Sequence, residues 1–299
     1  MTAVLEIKNL TKRYGRITAV NDLSLTVEKG SVFGILGPNG SGKTTTLGII
    51  LDVINRTGGE YLWFGEQGNN QVRKKIGAIL ETPIFYPYLS AIKNLEIVAD
   101  IKGAPTSNIE PVLKKVELYE RRDDKYRTYS LGMKQRLSIA SALLCDPEVM
   151  ILDEPTNGLD PQGIAEIREL IKQIALEGKT IILASHLLDE VQKVCSHFCV
   201  LKRGSLLYSG MVEEVSAGLV QVEVKSDSPE LEKALETYQG ASKTERDLHG
   251  YMVTLTEGHD AGHLNAYLHQ QGITANHLVT QRKSLEKQFL ELLAESDHA

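Results

Sequence analysis

Long apolar runs are missing from this sequence. None approaches the roughly 18–20 residues that a helix needs to cross a bilayer. The opening stretch MTAVLEIKNL lacks a basic region followed by an apolar one, so no signal peptide is expected and any membrane role must come through a partner. An excess of positive charge is missing as well. Lys and Arg number 33 against 39 Asp and Glu, a formal net charge of −6, which disfavours the basic face of a general nucleic-acid binder. Cysteine is scarce, with Cys145, Cys195 and Cys199 alone. No second Cys or His pair completes a four-ligand set around Cys195 and Cys199, so all three read as reduced core thiols of a reducing cytoplasm. Internal repeats and low-complexity tracts are absent too.

The 299 residues, 42% of them hydrophobic, suffice for one large domain with an accessory, or for two domains. Short apolar runs alternate with amphipathic stretches, the pattern of an α/β sheet. VLEIKNL and AVNDLSLTV read as strands, SVFGILG as a buried strand entering a Gly-rich turn and a helix, and KKIGAILE as a strand ending at Glu81. The strand signal then fades. LSAIKNLEIVADIKG, NIEPVLKKVELYE and the helix start YSLGMKQRLSIA predict a helical subdomain over about 82–145. EVMILDEP reads as a buried strand, PQGIAEIRELIKQIALEG as a helix with Pro161 in its first turn, KTIILASH as a strand, LLDEVQKVCS as a helix and HFCVLKRGSLLYSG as a hairpin. Near residue 215 the character shifts. LVQVEVK, YMVTLTE and ANHLVTQRK read as strands, and SPELEKALETYQ, AGHLNAYLHQQG and SLEKQFLELLAES as helices, in an order resembling a small ferredoxin-like α+β domain. The expected domains are residues 1–215 and 216–299.

The stretch GPNGSGKT comprises Gly37, Pro38, Asn39, Gly40, Ser41, Gly42, Lys43 and Thr44 and matches the P-loop pattern between a strand and a helix. Its glycines let backbone N–H groups turn inward around phosphate oxygens. Lys43 brings positive charge to the β- and γ-phosphates, and the Thr44 hydroxyl is a Mg²⁺ ligand candidate. The apolar run before Asp153 delivers that carboxylate to a strand end, where it can hold the Mg²⁺ shell. Glu154, pointing elsewhere, is suited to orient and deprotonate a water. His186 ends the strand KTIILAS and is a candidate contact to the γ-phosphate. Ser130 stands in an N-cap position, and the helix start it caps is a ready anion site.

Taken together, residues 3–212 resemble the ATPase cassette of ABC transporters, with P-loop, Glu81, helical insert, YSLGMKQR, ILDEP, GLD and SH in order. The resemblance implies a P-loop ABC-type fold: a RecA-like core with antiparallel β and helical subdomains. It implies ATP and Mg²⁺ as ligands and ATP hydrolysis as the activity. Tyr14 matches the aromatic that stacks on adenine. Gly37 to Thr44, with Thr45 next, match the phosphate loop, Asp153 the metal carboxylate, Glu154 the general base and His186 the switch histidine. Ser130 and Gly132 match the signature that closes over the ATP of a second cassette, and Asp160 the loop that communicates across that dimer. The implied partners are separately encoded transmembrane permease subunits and a second copy of the cassette, or a related one, with no nucleic acid. The implied location is cytoplasmic, peripheral on the inner face of the membrane. The stretch ETPIFYPYLS is a candidate docking surface for the permease.

Two departures narrow the family. Leu131 and Met133 replace a Gly and the Gln of the usual signature, and Glu81 replaces a Gln that serves the metal and the water. Glu81 is either an inconsequential substitute or a change in metal affinity. This combination resembles the bacitracin-resistance and lantibiotic self-protection branch, which implies an exporter of membrane-active peptides. A soluble ABC ATPase of translation or DNA repair is the rival. The single P-loop and the short insert speak against it. For the C-terminal domain, regulation and dimerisation stay open, and its scattered His259, His263, His269, His277 and His298 read as solvated.

Overall fold

In the computed structural model, residues 2–80, 85–213, 220–247, 250–256 and 258–282 are described. The chain divides into two compact units, Met1–Met211 and Val212–Ala299.

The first unit is built on two sheets. Strands β1 (Ala3–Tyr14), β2 (Ile17–Glu28) and β4 (Gly58–Trp63) form an antiparallel sheet in the order β2-β1-β4. The second sheet runs β5-β6-β7-β3-β8-β9, with β3 Val32–Leu36, β5 Ile76–Ile79, β6 Val149–Asp153, β7 Thr180–Ser185, β8 His197–Lys202 and β9 Ser205–Met211. All its pairs are parallel except the β8–β9 hairpin. Strands β3, β6 and β7 are buried along their whole length, which explains their unbroken apolar runs.

Helix α1 (Lys43–Ile50) belongs to the core that joins the sheets. Its Leu47, Ile49 and Ile50 pack in one cluster with Leu5, Leu10, Leu23, Phe33, Ile35 and Trp63. Each fully buried side chain of this size contributes about 1.5–3 kcal/mol. The Trp63 indole donates to the Ile50 carbonyl at 2.8 Å, satisfying one of the orphan acceptors at the helix end. Strand β4 was not expected from the sequence. Its Gly-Gly-Glu start gives no alternation, and its register is set by β1, far off in the chain.

Helices α2 (Asn70–Lys74), α3 (Ala91–Lys102), α4 (Ile109–Lys115), α5 (Leu131–Leu143), α6 (Pro161–Leu176) and α7 (Leu188–Val194) complete the unit. The strand expected over KKIGAILE is shorter than predicted: Lys74 ends α2 and β5 starts only at Ile76. The helix expected over NIEPVLKKVELYE stops at Lys115 and resumes as a 3₁₀ turn over Tyr119–Arg121. Cys195 and Cys199 are buried free thiols, and Cys145 is partly exposed. Burial pushes the Cys199 thiol up to about 12 and raises Cys195 as well, so neither is a thiolate at neutral pH.

The second unit has the element order β10 (Val220–Lys225), α8 (Leu231–Thr237), β11 (Ala241–Asp247), β12 (Gly250–Leu255), α9 (Ala261–Gln270) and β13 (His277–Arg282). Its antiparallel sheet runs β11-β12-β10-β13, a split β-α-β-β-α-β arrangement. Val222, Val224, Val253 and Leu255 meet Leu231, Leu235, Leu264 and Leu268 of the two helices. The expected helix SLEKQFLELLAES lies outside the described residues, as does His298.

Candidate active site

Three neighbouring strands end at the same level. Leu36 is in register with Ser185, and Asp153 with Ala184, so β6, β7 and β3 release their next residues side by side. These are Glu154, His186 and Gly37. Ligand sites of open α/β sheets form at such carboxyl ends. The Gly37 N–H donates to the Ser185 carbonyl at 3.3 Å and ties the ends of β3 and β7 together.

The loop from Gly37 to Gly42 is sterically committed to glycine at two places. A Cβ at Gly37 would lie 2.3 Å from the Leu201 carbonyl oxygen. Gly42 has φ +105°, and a Cβ there would lie 2.5 Å from the Ala19 carbonyl oxygen. Gly42 is also the N-cap of α1 and offers no side-chain cap, so the first-turn N–H groups stay open to an anion. Ser41 Oγ is buried without a hydrogen-bond partner among the described residues. An orphaned hydroxyl beside open helix N–H groups fits a phosphate-bearing ligand. Pro38, Asn39 and Gly40 form the exposed crest of the loop; Thr44 is exposed and Thr45 half-buried.

The Lys43 side chain is only 5% exposed. It donates to the Gly37 carbonyl at 2.8 Å and the Pro38 carbonyl at 3.4 Å, and it lies 3.3 Å from Glu154 Oε1. The other Glu154 oxygen meets His186 Nδ1 at 2.8 Å. One carboxylate therefore links the P-loop lysine to the histidine that follows β7. Glu154 has φ +48°, a left-handed conformation that costs a non-glycine residue about 1–3 kcal/mol and persists where the surroundings enforce it. Its N–H donates to the Ala184 carbonyl at 3.0 Å, extending the β6–β7 ladder one residue past Asp153 while the side chain turns away. Asp153 closes β6 and is buried.

Tyr14 ends β1 and is 48% exposed, and the Lys12 ammonium lies 4.6 Å from its ring centroid. The other predicted residues gather on a separate groove. Ser130 caps α5, with its Oγ accepting from the Met133 N–H at 3.3 Å. Asp160 caps α6, with Oδ1 accepting from the Gly163 N–H at 2.9 Å. Ser130, Leu131, Gly132, Gly158 and Asp160 line one open depression. Leu131 is exposed there. Glu81 lies outside the described residues.

Sequence reasoning missed two polar residues of the helical subdomain, on α3 and α5. Asn94 of α3 is buried; its Oδ1 accepts from the Tyr86 N–H at 2.8 Å and its Nδ2 reaches the Tyr86 and Ser90 carbonyls at 3.2 and 2.9 Å. It fixes the segment in which Phe85 packs edge-on against Tyr126 while Tyr86 and Tyr88 stay exposed. The signal was an Asn among apolar helix positions. Arg136 of α5 is the second, and its charge alone did not reveal its partners.

A metal, if held here, finds hard oxygen donors in Thr44 and Asp153, which suits Mg²⁺ with phosphate oxygens completing its shell. Among the described residues no cluster of three or more His, Cys, Asp and Glu could hold a metal by itself. His259 and His263 do approach each other, with ring centroids 5.7 Å apart in the second unit.

A Gly-rich loop between a buried strand and a buried helix, with its lysine in contact with a carboxylate from the end of the next strand but one in the sheet, defines a P-loop nucleotide-binding protein. The family model described as ABC transporter matches residues 20–157. An uncharacterized ABC transporter ATP-binding protein of Bacillus subtilis, YhcH, is 39% identical, covering 99% of this chain and 98% of its own length. The bacitracin transport ATP-binding protein BcrA of Enterococcus faecalis is 35% identical, over 98% and 97%. The lantibiotic transport ATP-binding protein SrtF of Streptococcus pyogenes is 40% identical, over 68% and 89%. The chain belongs to the ATP-binding subunits of ABC transporters. Among solved structures, a dimeric post-hydrolysis state of an ATP-binding cassette bound to ADP and Pi aligns with a TM-score of 0.61 and 28% identity, over 70% of this chain and 98% of that one.

Proposed function

We propose that this chain hydrolyses ATP as one half of a head-to-tail cassette dimer and thereby powers export through separately encoded membrane subunits, with membrane-active peptides as cargo. The observation that carries the reading is the Lys43–Glu154–His186 cluster beside Asp153. Glu154 takes a proton from water as the water oxygen bonds to the γ-phosphorus and the bond to the ADP oxygen breaks. His186, hydrogen-bonded to Glu154, orients that carboxylate. Lys43 and the open N–H groups of α1 balance charge on the phosphates, and Ser41 offers a further donor. Mg²⁺, held by Thr44 and Asp153, would neutralise charge on the phosphate oxygens. Ser130, Gly132 and Asp160 act on the nucleotide of the partner cassette. Dimerisation is supported by the dimeric ADP-bound relative, and peptide cargo by the relatives named for bacitracin and lantibiotic transport. No helix among the described residues is long and apolar enough to cross a membrane, in keeping with a peripheral subunit on the inner face.

Tyr14 serves as the adenine platform in this reading. Tyr14→Ala is expected to weaken ATP binding by about 1–3 kcal/mol, the usual worth of base stacking. Titration with a fluorescent ATP analogue checks this, and an unchanged affinity removes Tyr14 from the site.

Tyr86 and Tyr88, exposed and 5.8 Å apart between ring centroids, are the docking surface proposed for a permease helix. The decisive experiment reconstitutes the chain in vesicles with membrane subunits from neighbouring reading frames. Bacitracin and a lantibiotic are then screened for stimulation of ATP hydrolysis. Stimulation by either is expected, together with loss of subunit recovery in the Tyr86→Ala, Tyr88→Ala double variant. Undiminished recovery and transport would remove the docking role; failure to recover any membrane subunit would overturn the transport reading.

A further inference from the structure

Arg136 lies six residues beyond Ser130 on α5, and its side chain is 14% exposed. One nitrogen, Nη1, donates to Glu117 at 2.6 Å and to the Val116 carbonyl at 3.4 Å, both just after α4. The other, Nη2, donates to Glu166 Oε2 at 2.7 Å on α6. Glu166 in turn lies six residues beyond Asp160, and its second oxygen accepts from Gln162 at 3.0 Å. The guanidinium thus joins equivalent turns of the two helices whose N-caps are Ser130 and Asp160. At 1.5 Å rise per residue, the tie sits about 9 Å from each cap. Helix α6 is anchored again on α7, where Arg168 Nη2 donates to the buried Glu190 at 2.5 Å. The tie therefore fixes α5 to the body of the unit rather than to a loose element. Only a planar fork reaches both sides at once; an ammonium is a point donor.

We propose that Arg136 is a positioning residue: through Glu166 it sets the separation between the Ser130 and Asp160 helix starts, and so the surface that grips a second cassette's nucleotide. This rests on the head-to-tail pairing proposed above. If α5 is released, Ser130 and Gly132 swing about the rest of the helical subdomain.

The test uses the full chain carrying Glu154→Gln, with Arg136→Lys, Arg136→Ala or Glu166→Ala added. Two quantities are measured: ATP affinity at protein concentrations too low for pairing, and the ATP-driven monomer–dimer equilibrium by sedimentation. Dimerisation is expected to weaken by about 10- to 100-fold in all three, the range for disturbing a dominant interface contact, while single-chain ATP affinity stays within about twofold. The split matters, because general damage to the unit would lower both together. Glu166→Ala keeps the Arg136–Glu117 contact and guards against a variant that fails to fold. Dimerisation equal to that of Glu154→Gln alone, or a parallel loss of ATP affinity, overturns the positioning role. If Glu154→Gln alone does not dimerise with ATP, the pairing itself falls, and the positioning role with it.

Discussion

Lys43→Ala is expected to abolish measurable ATP binding. The ammonium is nearly buried and faces three oxygens, the carbonyls of Gly37 and Pro38 and the carboxylate of Glu154. Among the described residues Lys43 is the one ammonium in contact with Glu154, and it would disappear from a loop built to receive several negative phosphate oxygens. Truncating one partner of a buried charge pair costs about 2–5 kcal/mol, or roughly 30- to several-thousand-fold in affinity. The upper end is expected here, because Glu154, no longer neutralised by Lys43, would then repel the phosphates as well. Lys43→Arg is not expected to restore binding, since a wide planar guanidinium does not fit among three oxygens spaced for an ammonium. Calorimetric titration with ATP checks both variants, with a thermal melt to show that the fold persists. Wild-type affinity in Lys43→Ala would remove the lysine from the phosphate site.

Much of this site was legible because its parts are local. The strand, Gly-rich turn and helix around Gly37–Lys43 occupy one short stretch, and the apolar run before Asp153 announces a buried strand with a carboxylate at its end. The Lys43–Glu154 and Glu154–His186 contacts were not legible as distances, because they depend on β3, β6 and β7 lying adjacent in an order different from their order in the chain. Chain-local patterns failed in the same way for strands. ASKTERD of β11 carries almost no apolar residues, since it is an edge strand paired with β12 on one side only. Strand β4 begins with two glycines, and Gly59, at φ +75°, would bring a Cβ to 2.2 Å from the Asn9 carbonyl oxygen; that close backbone approach is why a glycine stands in the strand. Arg136 was hidden because its partners, too, are distant in the chain. On the sequence it is one charge in a polar helix start, and only the packing of α5 against α6 turns it into a tie.

Glu154→Gln is expected to lower the rate of ATP hydrolysis by at least about 100-fold, the usual contribution of a general base. Glutamine keeps the shape of the side chain and can still hydrogen-bond to His186, so the loop geometry is expected to hold. The left-handed turn at residue 154 depends on backbone bonds to Ala184 and Asn157, which the substitution leaves alone. What is lost is the capacity to take a proton and one negative charge at 3.3 Å from Lys43. Losing that charge frees Lys43 for the phosphates, so ATP affinity is expected to stay the same or rise. An ATP-bound dimer that cannot discharge its nucleotide should therefore accumulate. Sedimentation with ATP reads the dimer, and single-turnover hydrolysis reads the chemistry. His186→Ala separates the roles. It leaves the carboxylate but not its orientation, so hydrolysis should fall while ATP-driven pairing is less stable than in Glu154→Gln, where the charge is gone. Hydrolysis by Glu154→Gln at the wild-type rate would mean that Glu154 is a structural ligand of Lys43, and that the proton leaves by another route.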